Sequence, residues 1–371
     1  MPHCNKQMIS FFLTTKCNLN CVYCYNIEER KKLKEITLPI EIAKAGIDYF
    51  FANNNSRHIR FYGPGEPTCE FQRMKEITEY AKSKDSSVSV EIQTNGVFGD
   101  VVRAWLIENA NIIWLSFDGP PDIQNHNRPI AGLYPSSPII EKNAKELIRG
   151  NKAGTLKVGA RITITDKNVN RQKEMVDYFL SLGIDYVWTN PLFPSVGEVP
   201  FCEDANKQKE YSFNMDQYID EYIPTYHYAK SRGMFYGSFL TCNFDGTANI
   251  NCRACTPVPH LTPDGYVSAC DMVVLGERAY HMDCFIYGKW DSSQKAFVFF
   301  KDKIDALKSR TSDNLEHCKG CPAQYHCGGY CLGEVVNETG KLDGQKVITC
   351  KAIRKLLKEL GTTDPYPYLH P

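Results

Sequence analysis

Cysteine spacing constrains this chain more than any other feature. The stretch "TTKCNLNCVYCYN", Thr14 to Asn26, carries Cys17, Cys21 and Cys24 as C-x3-C-x2-C, and no fourth cysteine stands nearby. A second group runs from Cys242 to Cys350 and includes "CRAC" and "CKGCPAQYHCGGYC". Thirteen of the sixteen cysteines in the 371 residues fall in these two groups. A disulfide framework suits a short exported chain; in a long chain without an export signal, clustered thiols point to metal.

The number of ligands narrows the choice. Structural zinc takes four closed ligands, and C-x3-C-x2-C supplies three. A [4Fe–4S] cubane has four irons, each taking an outside ligand. Three cysteines therefore leave one iron open to a substrate or cofactor.

From Gln7 to about Pro194, short β-branched and aromatic runs alternate with amphipathic stretches. "MISFFLTT", "HIRFYG", "VSVEIQTNG", "IIWLSFDG", "KVGARITIT" and "DYVWTNPLF" read as strands, with helix patterns in five intervals. Repeated βα units imply a parallel sheet, and six of them predict a partial (β/α)6 barrel of the TIM type. The fold class is α/β, with function at the C-terminal ends of the strands. The spacing places the barrel over residues 1–210, a Tyr-rich helical linker over 211–235 and a small cysteine-rich domain over 236–371. In the last region "HLTPDGYVSACDMVV" predicts a hairpin turning at Asp264-Gly265. "KAFVFFKDKIDALKSR" and "CKAIRKLLKEL" read as helices. So little regular apolar pattern needs staples, which clusters would supply.

Lys plus Arg equals Asp plus Glu at 43 each, so nothing in the charge balance draws nucleic acid or an anionic membrane surface. No apolar run reaches membrane-spanning length, and the expectation is a cytoplasmic protein.

C-x3-C-x2-C with Tyr23 before the last cysteine resembles the signature of radical S-adenosylmethionine (SAM) enzymes. The resemblance implies that the open iron chelates SAM through its amino and carboxylate groups. An electron then cleaves its C–S bond, and the 5′-deoxyadenosyl radical takes a substrate hydrogen. "GPGEP", Gly63 to Pro67, resembles the family's Gly-Gly-Glu-Pro segment, which contacts the methionine amino group through residues matching Gly65 and Glu66. Pro64 departs from that pattern, losing an N–H but keeping a carbonyl for an ammonium to find. "QTNG" and "LSFDG" end the third and fourth strands, and by resemblance Ser116 lies against the cofactor. Arg128 in "HNRP" or Arg161 in "GARITIT" would pair with its carboxylate.

Cys255-x9-Gly265-x4-Cys270, then Cys318-x2-Cys321-x5-Cys327-x3-Cys331 and finally Cys350, resembles the SPASM extension of peptide-modifying radical enzymes. That resemblance implies two auxiliary [4Fe–4S] clusters, three with the first. Cys318, Cys321, Cys327 and Cys350 would hold the distal one. Cys255, Cys270 and Cys331 would hold the proximal one, with Cys252 as fourth ligand and Cys242 the alternative; without either, an open iron is left for a substrate thiolate. Asp271 matches an aspartate that acts as a base in sulfatase maturases. Cys4, Cys69, Cys202 and Cys284, along with Cys242, are left unassigned, most of them expected as inert buried thiols, with Cys69 nearest the barrel mouth.

The implied function is an enzyme that oxidises a peptide or protein to a thioether or carbon–carbon crosslink, using the auxiliary clusters as electron acceptors. Formylglycine formation from Cys or Ser, or peptide epimerisation, are the alternatives within the family. A bare electron carrier would not need a barrel with cofactor motifs. The first strand begins at about residue 7, so the barrel and cluster domain, or a separate leader-binding protein, would recognise the substrate. A flavodoxin or ferredoxin would supply electrons.

Overall fold

Among the described residues every strand belongs to one sheet. A computed structural model describes residues 7–26, 35–206, 214–363 and 365–366. The strands are β1 Ile9–Phe12, β2 His58–Tyr62, β3 Ser89–Thr94, β4 Ile112–Ser116, β5 Lys157–Ile164, β6 Tyr186–Pro191 and β7 Phe235–Ser238, followed by β8 His260–Leu261, β9 Tyr266–Ser268, β10 Ile286–Asp291 and β11 Ala296–Phe299. Spatial order runs β11-β10-β9-β8-β1-β2-β3-β4-β5-β6-β7. Strands β1 to β7 pair in parallel, as the six-unit barrel reading expected. The helices between them are α1 Ile40–Asn53, α2 Phe71–Lys84, α3 Asp100–Asn109, α4 Pro121–Asn127, α5 Ser137–Gly150, α6 Gln172–Ser181 and α7 Met215–Ser231. Four more follow: α8 Lys301–Ser309, α9 Gln324–Cys327, α10 Leu332–Thr339 and α11 Val347–Leu360.

Alternation along the strands sorts the side chains. Ile59, Phe61, Val90, Ile92, Ile113, Leu115, Ala160, Ile162 and Val187 join the main apolar core with Ile47, Phe50, Met74, Ile77, Ala144, Leu147 and Phe179 of the helices. The opposite parity carries His58, Arg60, Glu91, Gln93, Ser116, Arg161 and Asn190, so the strands are apolar on one face and largely polar on the other. Buried polar side chains persist there because they have partners: His58 Nε2 lies 2.8 Å from Glu91 Oε2, and Arg60 Nε donates to Ser10 Oγ at 2.9 Å.

Two segments differ from expectation. Residues 211–213 of the proposed linker lie outside the described residues; the rest forms α7, which packs on α6, α11 and β7. Tyr218, Ile219 and Tyr222 are its buried face, and β7 then adds a seventh parallel strand beside β6. "KAFVFFKDKIDALKSR" is half strand: β11 pairs antiparallel with β10 before α8 begins at Lys301. Four successive residues with apolar or aromatic side chains fit either element, and pairing to β10 selects the strand. The hairpin turns where expected, with β8 and β9 antiparallel and Gly265 at φ +82°. Because β8 also pairs in parallel with β1, the hairpin joins the cysteine-rich region to the barrel.

Candidate active site

Three loops meet at the C-terminal ends of β1, β2 and β3. Gly65 N donates to Thr14 O at 3.0 Å and Glu66 N to Lys16 O at 2.8 Å, laying "GPGEP" against the loop that carries Cys17. A Cβ on Gly65 would overlap the Lys16 carbonyl, so the close approach requires glycine. Glu66 is buried, and its Oε1 accepts from Thr68 N at 3.1 Å, Thr68 Oγ1 at 2.7 Å and Thr94 Oγ1 at 2.7 Å. Its Oε2 accepts from Asn95 N at 2.7 Å. Burial raises its pKa, while these donors oppose the rise. Glu66 thus ties the ends of β2 and β3 together.

A second group fixes the far wall. Asp118 is fully buried; it accepts from Tyr23 Oη, from Asn127 Nδ2 at 3.2 Å and from Thr163 N at 3.0 Å. Arg128 Nε stands 3.1 Å from the same carboxylate, and the guanidinium lies over the Tyr23 ring at 5.2 Å. Arg161 donates to Gln93 Oε1 at 2.6 Å, and the Asn190 amide, its oxygen turned to the guanidinium, accepts at 2.9 and 3.0 Å.

A cavity of ≈ 240 Å³ opens between these groups and the cysteine-rich region. Cys17, Cys21, Tyr23, Cys24, Gly65, Glu66, Ser116, Arg128 and Arg161 line it from the barrel. Cys242, Cys252, Cys270, Asp271 and Cys331 line it from the other side. Burial pushes the Cys21 thiol up to about 12, opposed by Arg128 and reinforced by Cys24 and Cys17. Cys270 also rises well above the thiol range through burial and then Cys331, and Cys331 through burial, then Glu334 and Cys252. Among the described residues no three His, Cys, Asp or Glu side chains converge as ligands of a single ion; a cubane takes each thiolate on a separate iron.

Other predicted residues lie elsewhere. Cys255 is buried on the turn Arg253–Cys255 and does not line the cavity. Cys318, Cys321, Cys327 and Cys350 form a separate group: burial and then neighbouring thiols of the group raise Cys318 and Cys327, and burial chiefly raises Cys350, with Cys321 adding to it. Cys242 Sγ donates to Phe239 O at 2.9 Å and sits with Trp188 and Tyr366. Cys69, beside Cys17, is raised to about 12 by burial first and then by Glu66 and Cys17. Cys202 is exposed rather than buried, and Cys4 lies outside the described residues. Every described cysteine is a free thiol.

Asp271 is bound on two sides. Arg60 donates Nη1 to its Oδ2 at 3.0 Å and Nη2 to its Oδ1, and His260 Nδ1 lies 3.1 Å from Oδ1. Burial works to raise the Asp271 pKa, but Arg60 and His260 outweigh it and hold the carboxyl well below its usual range. His260 is itself held below its usual range by burial. Sequence reasoning missed Arg60, His260 and Asp118. The one available signal was an arginine at an alternating position inside the apolar strand "HIRFYG".

Residues 11–149 match the Radical SAM superfamily. The chain is 22% identical to the radical SAM cyclopropyl synthase TigE of Paramaledivibacter caminithermalis over 95% of this chain and 74% of that protein. It is 23% identical to a cysteine-type anaerobic sulfatase-maturating enzyme of Clostridium perfringens over 85% of each. Among solved structures it is similar to native anSMEcpe with bound AdoMet and Cp18Cys peptide, with a TM-score of 0.72, 18% identity and coverage of 95% of each chain. That likeness shows a shared fold, barrel and C-terminal extension together.

Proposed function

The chain carries a radical SAM domain over residues 11–149, and from that premise we propose that it oxidises a peptide or protein in the cavity at the barrel mouth. The observation that carries the reading is that Cys17, Cys21 and Cys24 share this one cavity with Cys252, Cys270, Cys331 and Asp271. The donors suit the group the family implies. Burial, then Cys24 and Cys17, hold the Cys21 thiol up against Arg128, so its ionisation is favoured by added positive charge such as iron brings.

Cys17, Cys21 and Cys24 would hold an iron–sulfur cluster, which with SAM would supply the radical chemistry that removes a substrate hydrogen atom. The chain's own residues position and enclose. Gly65 and Glu66 hold the amino-binding turn, and Arg128 or Arg161 offers a guanidinium fork to the methionine carboxylate, with Ser116 on the same wall and Tyr23 braced by Asp118. Cys252, Cys255, Cys270 and Cys331 are the proposed proximal ligands, and Cys318, Cys321, Cys327 and Cys350 the distal ones. The closeness of Cys252 to Cys270 and Cys331, on both of which its charge acts, supports Cys252 over Cys242.

Asp271 is the proposed proton acceptor. Its pairing with Arg60 makes it a weak base, and the His260 ring 3.1 Å from Oδ1 is placed to share the proton. Asp271→Asn should lower product formation by about 10²–10⁴-fold while 5′-deoxyadenosine still forms, read by liquid chromatography of both products.

The finer outcome we propose is a thioether or carbon–carbon crosslink, with electrons supplied by a flavodoxin or ferredoxin in the cytoplasm and the peptide bound directly or through a leader-binding protein. No helix among the described residues is long and apolar enough to cross a membrane. Formylglycine formation is the second reading, favoured by Asp271 directly after Cys270. An aldehyde on a Cys-containing peptide, trapped by a hydrazide, would select it.

The deciding experiment is iron and acid-labile sulfide on anaerobically reconstituted protein. Wild type should bind about twelve irons and Cys17/Cys21/Cys24→Ala about eight, at four per cubane, with SAM cleavage lost in the variant. Four irons and bound zinc in the wild type would sink the two auxiliary sites.

A further inference from the structure

Arg310 follows α8 and is 3% exposed. Its Nη1 donates to Gly328 O at 3.1 Å and Tyr330 O at 3.5 Å, its Nη2 to Gly329 O at 2.5 Å and its Nε to Leu342 O at 3.3 Å. These four hydrogen bonds, made among the described residues, all go to neutral backbone carbonyls. Burying a cation against dipoles alone costs several kcal/mol, so such a site calls for a negative group alongside.

The carbonyls identify that group. Gly328, Gly329 and Tyr330 are the whole segment between Cys327 and Cys331, which the proposed function assigns to the distal and proximal clusters. Gly329 has φ +83°, and a Cβ there would overlap the Arg310 guanidinium. The positive charge of Arg310 acts on the thiols of Cys318 and Cys350. Arg354 Nη1 lies 3.9 Å from Cys321 Sγ, and Gln345 Nε2 lies 4.0 Å from Cys350 Sγ. The proximal group has mixed surroundings, with Arg253 acting beside Cys252 but carboxylates facing the other thiols. Glu334 acts on Cys331, with Lys346 opposing it, and Asp271 acts on Cys270.

We propose that Arg310 is a positioning residue for the distal iron–sulfur site, and that with Arg354 it makes this site easier to reduce than the proximal one. The inference rests on the reading of Cys318, Cys321, Cys327 and Cys350 as cluster ligands. Reduction adds negative charge to a thiolate-ligated cluster, and nearby cations and N–H···S contacts favour that state.

The test is iron content and an EPR-monitored redox titration of the anaerobically reconstituted full chain: wild type, Arg354→Gln, Arg310→Gln and Arg310→Lys. Wild type should show two auxiliary midpoints. Arg354→Gln should keep its iron and weaken electron affinity at the higher midpoint about tenfold, roughly 59 mV for one electron, leaving the lower one in place. Arg310→Gln should move the same midpoint further down, or lose about four irons, and Arg310→Lys should lie between it and wild type. Unshifted midpoints in Arg354→Gln and Arg310→Gln, or both midpoints moving together, would overturn the inference while leaving the clusters in place. Only four irons in wild type would overturn the cluster reading and this inference with it. Arg354→Gln decides alone if neither Arg310 variant folds.

Discussion

Glu66 spends its carboxylate on four donors from Thr68, Thr94 and Asn95. A carboxamide in its place accepts through its oxygen only and turns a donor NH2 toward the other donors. Glu66→Gln should therefore lose about 1–3 kcal/mol, read as a lower midpoint in urea unfolding of the anaerobic protein. Gly65→Ala acts differently, because its Cβ meets backbone. It should displace the loop of Cys17 and cut iron content by about four per chain, with the auxiliary iron retained. "QTNG" shows why such residues are hard to read in advance. It looks like a turn, yet Gln93 holds Arg161, Thr94 and Asn95 hold Glu66, and Gly96 takes φ +74°.

At the scale of elements, periodicity and punctuation carried most of the fold. The six strands and the Asp264-Gly265 hairpin follow from apolar alternation and turn chemistry, both local. "AFVFF" was ambiguous for the same reason: its pattern suits helix or strand, and β10 decided. The segment 211–235 was Tyr-rich without revealing its role, since Tyr218 and Tyr222 count as wall residues only once α6 and β7 lie beneath them. Cys242 and Cys252 sit in neighbouring turns with different company, the first among aromatic rings and the second among thiols. Cys252→Ala should remove or alter the proximal cluster's EPR signal, and Cys242→Ala should leave it unchanged.

Across the whole molecule, the barrel and the cysteine-rich region share one sheet and one ion pair. β1 pairs with β8 through Ser10↔His260 and Phe11↔Leu261, and Arg60 reaches Asp271 from 211 residues away. A chain cut after residue 235 would keep Arg60 buried without its carboxylate and leave the β1 edge unpaired. It should be recovered aggregated, while the full chain elutes as a discrete species in size-exclusion chromatography.

The sequence by itself determined the βα repetition, the two cysteine groups and the order of the strand-end motifs, because each depends on spacing between near neighbours. Only the tertiary structure decided that Asp271 is spent on Arg60 and His260, that Asp118 anchors Tyr23 and Arg128, and that Arg310 lies beneath the Cys327–Cys331 loop. Those contacts join residues far apart in the chain, and burial and charge at a site depend on which distant elements are brought beside it.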